Sequence, residues 1–368
     1  ALHYAAIEGH ADVAKVLIQN GADVNVKSFW NNLGRAALHF AAEKGHVDVV
    51  KVLIQNGADV YAVDKYEQSS VLHYAAEHGH ADVAKVLIQN GADVNDANNR
   101  DTTALHKAVR KGHADVVKLL IQNDADVDAV EDFWNEEWWK FTALHSAADN
   151  GDVEIVKMLI HSHCEVNAVE NKFEIPPLHM AANKGHAEVV KILIQNGAVV
   201  NAVCQSEWNA LELAASWGQV EVGKILISNG AIDLESPLYY AVCNHEVAFT
   251  LQLLCLGAKI NYRHIKNDET KLLRPIKDRV ESLRAGNGMK TTLMSDEERR
   301  FMWNLAFSFT IKHGGATAFK AYYSIRSFIT FHGIFMGPGY DLGDGSIWRK
   351  EWPEDFCGGF CWPGPAMR

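Results

Sequence analysis

From residue 1 to about residue 262, apolar positions recur in two alternating helical patterns. In Val47–Ile54 the apolar residues are Val49, Val50, Val52, Leu53 and Ile54, a spacing that turns one face of a helix toward a core. The stretch before it carries Leu38 with Ala41 and Ala42, and residues this small let a second helix approach closely. Gly45 separates the two stretches, which predicts a helix, a tight turn and a second helix. A short polar and aromatic stretch follows, predicting an extended loop or hairpin finger.

The whole unit then repeats. Its opening leucine falls at Leu2, Leu38, Leu72, Leu105, Leu144, Leu178, Leu211 and Leu238, at steps of 36, 34, 33, 39, 34, 33 and 27 residues. Residues 1–25 and 71–95 differ at only three positions, so these two units are near-copies. A period of roughly 33 residues describes a solenoid, in which each unit buries its apolar face against its neighbours. Gly9, Gly45, Gly79, Gly112, Gly151, Gly185 and Gly218 stand between the paired helices, where a positive φ is expected. A second glycine series ends the second helices. Asp124 and His163 replace it in units four and five, so those units are expected to be less regular.

The motifs Ala37-Leu38-His39, Gly45-His46 and Asn56-Gly57-Ala58-Asp59-Val60 resemble those of ankyrin repeats, and the resemblance spans residues 1–262. It implies an all-α ankyrin-repeat solenoid of about eight helix pairs with aromatic-rich loop fingers. It also implies a non-catalytic scaffold or adaptor that binds a protein partner through a concave groove lined by the two residues before each turn glycine. By the same resemblance, Asn25, Asn95 and Asn167 stand where ankyrin proteins expose asparagine to hydroxylation, each preceded by the matching Leu17, Leu87 or Leu159.

The fingers depart from the short polar loop of that family. They carry Phe29 and Trp30, Tyr66, the run Glu131–Phe141 with Phe133, Trp134, Trp138 and Trp139, then Phe173 and Trp208. Trp217 precedes the turn glycine Gly218. These ten aromatics are the candidate partner-binding residues, since tryptophan and tyrosine dominate binding hot spots. Stacking of successive fingers is the competing explanation. The run at Glu131–Phe141 favours recognition, because its three tryptophans and Phe133 outnumber the aromatics of the neighbouring fingers. Helical phasing there would set Trp134, Trp138 and Trp139 on one exposed ridge.

Charge narrows the partner. The protein carries −11 overall, and residues 263–368 hold 16 basic and 12 acidic residues. That leaves 19 basic against 34 acidic residues in the array, a net −15 that repels a phosphate backbone and excludes nucleic acid. No run of 18 apolar residues is present, so no membrane span is expected. Eleven of the eighteen histidines belong to the repeat motifs, where they tie turns together through hydrogen bonds. The rest, with six scattered cysteines, form no metal or nucleophile pattern, so no metal, no cofactor and no catalytic residue is assigned. The expected state is a cytoplasmic monomer. The chain opens at the start of a first helix and reads as an N-terminally truncated array.

Residues 263–294 read as a capping helix and linker. Residues 295–368 read as a small, mainly helical, aromatic-rich region that resembles no family. Ser295-Asp296-Glu297-Glu298 is a capping box, and sixteen aromatics among the 68 residues from Phe301 onward predict packing. An alternative follows from this region: an effector or toxin in which the array targets and the C-terminal region carries an activity.

Overall fold

The computed structural model describes residues 1–28, 33–133, 139–243, 249, 250 and 253. Within them the helices come in pairs: α1 (Leu2–Ile7) with α2 (Ala11–Gln19), α3 (Ala37–Lys44) with α4 (Val47–Gln55), and α5 (Val71–Glu77) with α6 (Ala81–Gln89). Then come α7 (Ala104–Lys111) with α8 (Ala114–Gln122), α9 (Ala143–Asn150) with α10 (Val153–His161), and α11 (Pro177–Lys184) with α12 (Ala187–Gln195). The last are α13 (Ala210–Ser216) with α14 (Val220–Ser228), and α15 (Glu235–Cys243). First helices stack on first helices and second on second, which makes two layers of an ankyrin-type solenoid. Residues 263–294 and 295–368 lie outside the described residues.

The core is periodic because the sequence is. Leu38, Leu72, Leu105, Leu144 and Leu178 of the first helices are at most 1% exposed, and Leu53, Leu87, Leu120, Leu159 and Leu193 of the second helices are fully buried. Each such leucine contributes about 2–3 kcal/mol of apolar burial. The alanine pairs, such as Ala41-Ala42 and Ala181-Ala182, are fully buried and hold the first helices close together.

The turn glycine is required twice over. Gly79 has φ +76°, and a Cβ there would lie 2.6 Å from Nδ1 of His113 in the next unit. Units four and five, expected to be irregular, are not. Asp124 and His163 both adopt φ +63° and end their helices as the glycines do. The amides of Ala125 and Cys164 donate to the carbonyls of Leu120 and Leu159, matching Ala58 to Leu53 in unit two. Aspartate and histidine enter the left-handed region several-fold more readily than most side chains, so both can stand in for glycine at this helix end.

The fingers are laced to one another. The amides of Lys65, Asn99, Asp132 and Gln205 donate to the carbonyls of Leu33, Glu67, Arg100 and Phe173, and the step from the hairpin to the next finger is made by the Lys140 amide donating to Oδ1 of Asn171. Buried polar side chains close the turns: Asp64 accepts from the amides of Tyr66 and Glu67, and Glu170 from those of Lys172 and Phe173. The finger tips place Gly34, Gln68, Asp101, Glu174 and Glu207 at positive φ, and only the first of them is a glycine.

The long insertion is a β-hairpin at its base. β1 (Val130–Phe133) pairs antiparallel with β2 (Trp139–Thr142), with Val130 opposite Thr142 and Phe133 opposite Trp139. The helical phasing expected for the aromatic ridge therefore does not hold at Trp139. β2 runs directly into α9, which begins at Ala143.

Candidate partner-binding groove

Two sets of ties hold the groove rigid. The first-helix histidines His73, His106, His145 and His179 each bridge two units. In His73, His106 and His145 the Nδ1 atom faces the amide and hydroxyl of Ser70, Thr103 and Thr142, at 2.7–3.2 Å. Both groups can donate, so the ring proton sits on Nε2. Nε2–H then donates to the carbonyls of Thr102, Ala129 and Ile175 at the next finger, at 2.7, 2.9 and 3.0 Å. His179 makes the same outward bond to Ala202, but Pro176 has no amide or hydroxyl, and its Nδ1 is left without a partner. Burial drives the pKa of His145 and of His179 down to about 4. It does the same for His39, partly opposed by Asp64. His73, His106, His145 and His179 are neutral structural bridges, while His39 accepts from the Ala36 amide at Nδ1.

The second set is an asparagine ladder. Asn25, Asn95, Asn167 and Asn201 each donate from Nδ2 to a carbonyl of the next unit, at 2.9–3.0 Å, to Gly57, Asp124, Gly197 and Gly230. Their Oδ1 atoms accept from the amides of Asp59, Asp126, Val199 and Ile232. In unit two Tyr61 stands in this register, exposed.

Fingers and first helices border one groove, and Lys107 shows it. Its ammonium lies 3.3 Å from Glu67 on a finger and 3.2 Å from Glu77 at the end of α5. Burial alone would raise the Glu77 pKa, but Lys107, Lys111 and His78 together hold it below the usual carboxylate range. Next to this bridge is a polar cleft of about 230 Å³. On its wall the Arg35 guanidinium sits 4.2 Å over the Tyr74 ring and 2.7 Å from Glu43. The Tyr74 hydroxyl donates to Asp64 at 2.8 Å, and burial with that bond keeps the phenol protonated. Further along, Arg110 pairs with the fully buried Glu131, and Lys184 lies 3.5 Å from Asp149. The residue before each turn glycine follows the same edge: Lys44, His78, Lys111, Asn150, Lys184, then Trp217.

The candidate aromatics fall differently on this surface. Tyr66 is 69% exposed at the mouth of the cleft, and Trp217 is 63% exposed at the end of α13. Phe173 is half-buried on its finger beside the Lys172 ammonium, at 5.1 Å. Trp208 is half-buried and packs on Tyr240 of α15 with ring centres 4.2 Å apart, so part of its surface serves the array itself. Phe133 and Trp139 oppose each other in the hairpin register. Phe29, Trp30, Trp134 and Trp138 lie outside the described residues. The cleft was not foreseen from the sequence. The legible signal was Lys107, which holds the register of Tyr4, Phe40, Tyr74, Met180 and Leu213 in other units.

Among the described residues no three His, Cys, Asp or Glu side chains cluster as metal ligands, and no helix is long and apolar enough to cross a membrane.

The comparisons agree with this architecture. Models described as ankyrin repeats in three copies match residues 1–64, 61–131, 144–236 and 178–264, and one described as ankyrin repeats in many copies matches 111–160. The chain belongs to the ankyrin repeat family. Among solved structures it is similar to the human ASB11 ankyrin repeat domain, at 28% identity and a TM-score of 0.54, over 63% of this chain and 99% of that one. No curated protein matches. Ankyrin repeats generally mediate protein–protein interaction, and the fold is typically non-catalytic.

Proposed function

We propose that the protein is a non-catalytic scaffold or adaptor that holds a protein partner in the groove between fingers and first helices. The observation that carries this reading is the pairing of exposed aromatics with a fixed ion-pair mesh on one face. Tyr66 and Trp217 offer large apolar surface to a partner, while Lys107 is held between Glu67 and Glu77, and Arg35 between Glu43 and the Tyr74 ring. A groove already ordered by histidine and asparagine bridges loses little entropy on binding. Its mixed charge suits a protein surface better than a polyanion. A cytoplasmic setting is part of the proposal, with Cys164 and Cys204 as free thiols. The alternative in which residues 263–368 carry an activity rests on residues outside the described set.

The test is affinity capture with paired variants. Tyr66→Ala combined with Trp217→Ala is expected to lose a partner that the parent retains, at unchanged melting temperature. Lys85→Ala with Lys118→Ala, exposed on the second helices α6 and α8, is expected to keep it. Equal capture by both double variants would reject the groove.

A further inference from the structure

The cleft beneath Tyr66 satisfies its acids and leaves its cations with N–H groups to spare. Both oxygens of Asp64 are taken, one by the amides of Tyr66 and Glu67 and the other by the Tyr74 hydroxyl. Glu67 has Lys107 at one oxygen and Arg100 facing the other, and Glu77 has Lys107 and Lys111 in the same way. The His73 ring is spent on Ser70 and Thr102, and the Ser69 hydroxyl on Glu67. Lys107 carries three N–H groups and gives two of them to these carboxylates. Arg35 carries five, and the acceptors beside it among the described residues are Glu43 and the Tyr74 hydroxyl, with Nε left unpartnered. The valence left open in the cleft belongs to donors, so it calls for an acceptor.

The rim of the groove shows the same sign. Side-chain exposure is 46% for Lys44 against 17% for Glu43, 50% for Lys111 against 29% for Glu77, and 36% for Arg110 against 0% for Glu131. In these pairs the cation stands outside and the acid beneath. Lys107, inside the cleft, and Lys140, beside Asp101 at a finger tip, are the reverse cases. The residues before the turn glycines of units two to seven, from Lys44 to Trp217, include no acid, although Glu8 holds that place in unit one. A cation in the last turn also steadies its own helix, but helix ends do not explain the unused donors inside the cleft. The array as a whole is strongly acidic, so the basic rim is local. It attracts a short acidic segment, whereas a long polyanion would run onto repelling surface.

We infer that the groove takes an acidic segment of its protein partner, with one carboxylate seated in the cleft between Lys107 and Arg35, under Tyr66. Lys44, His78 and Lys111, exposed on the rim, receive the acids beside it. This names the partner's chemistry for the groove proposed above and rests on that reading. The cleft, at about 230 Å³, admits a carboxylate side chain, and Tyr66 at its mouth covers the stem.

The test selects short random peptides on the immobilised full chain, on Tyr66→Ala, on Lys44→Glu with Lys111→Glu, and on Lys85→Glu with Lys118→Glu as a control of equal charge on the second-helix layer. Peptides that need Tyr66 are expected to be enriched in Asp and Glu on the parent and on the control, and to lose that enrichment on the groove variant. Where the groove variant melts below the control, Lys44→Gln with Lys111→Gln replaces it. The best peptide and a twin with Asn and Gln for its acids are then compared by calorimetry, and the twin should bind at least about tenfold weaker, as for a charge-assisted bond. In Lys107→Gln that ratio should shrink at least about threefold, as a double-mutant cycle requires of groups in contact. Tyr66-dependent peptides without acid enrichment, or a twin of equal affinity, overturn the inference while leaving the groove as the binding site. An unchanged ratio in Lys107→Gln takes the carboxylate out of the cleft and overturns it too. If no selected peptide depends on Tyr66, the groove reading itself fails, and this inference with it. A single-stranded RNA of the same length that binds the parent more tightly than the peptide, but not the groove variant, makes the partner a nucleic acid and overturns it as well.

Discussion

Lowering the pH from 7.5 to 5.0 should remove stability through the histidines of the first helices, and His145 isolates the effect. Its Nδ1 accepts from Thr142 and its Nε2–H donates to Ile175, so protonation would break the inward bond. Burial lowers its pKa from 6.5 to about 4, while the unfolded chain keeps the ordinary value. Between these values the unfolded state binds more protons than the folded state. The stability contribution is therefore complete above pH 6.5, falls as pH drops toward 4, and levels off below. At pH 5.0 the loss comes to about 2 kcal/mol, because each tenfold change in proton affinity is about 1.4 kcal/mol and only part of the fall from 6.5 to about 4 has developed at that pH. His39 and His179 are lowered to about 4 as well, so together they put at risk an amount comparable to the whole stability of a domain. Urea unfolding followed by circular dichroism at the two pH values measures it. His145→Gln cannot titrate, so its loss between pH 7.5 and 5.0 should be about 2 kcal/mol smaller than the parent's. Its stability at pH 7.5 should itself be lower by about 1–3 kcal/mol from the broken bridge. An equal pH dependence in parent and variant, or a His145 ring that titrates near 6.5 in NMR, would refute the reasoning.

Gly79→Val should cost more than about 2 kcal/mol in urea unfolding, because positive φ and the His113 ring both oppose a β-branched side chain; a loss under about 0.5 kcal/mol contradicts the turn geometry. Glu174→Gly should gain about 0.5–1 kcal/mol by relieving φ +56° at an exposed finger tip; a lower denaturation midpoint would mean that the side chain does something there that the backbone does not reveal. Lys107→Met should cost about 1–3 kcal/mol by leaving Glu67 and Glu77 without their shared cation. The Glu77 carboxyl, followed by carbon NMR, should then titrate at higher pH than in the parent, and an unmoved titration would remove Lys107 as the cause of its low pKa.

The repeat was legible because its signals are local: Leu53 and Gly57 lie four residues apart, and the histidines announce their bridging role by position. Asp124 and His163 were misread because glycine alone was taken as the left-handed residue, although aspartate and histidine also enter that region readily. The ion-pair mesh was illegible because its partners are distant in the chain, as with Lys107 and Glu67, 40 residues apart. Only the misfit of a lysine in an apolar register hinted at it. The aromatic list was readable as composition, but the division between Trp208, packed on Tyr240, and Trp217, open to solvent, depends on what the next unit places opposite.

The central claim is that a protein partner lies in the groove between fingers and first helices. Site-specific photo-crosslinking tests it most directly, with benzoylphenylalanine placed at Tyr66, at Trp217 and, as a control on the second-helix layer, at Lys85. The account predicts one discrete crosslinked polypeptide from positions 66 and 217 and none from 85. Crosslinks from position 85 alone, or from none of the three in a lysate where the parent captures a partner, would contradict it.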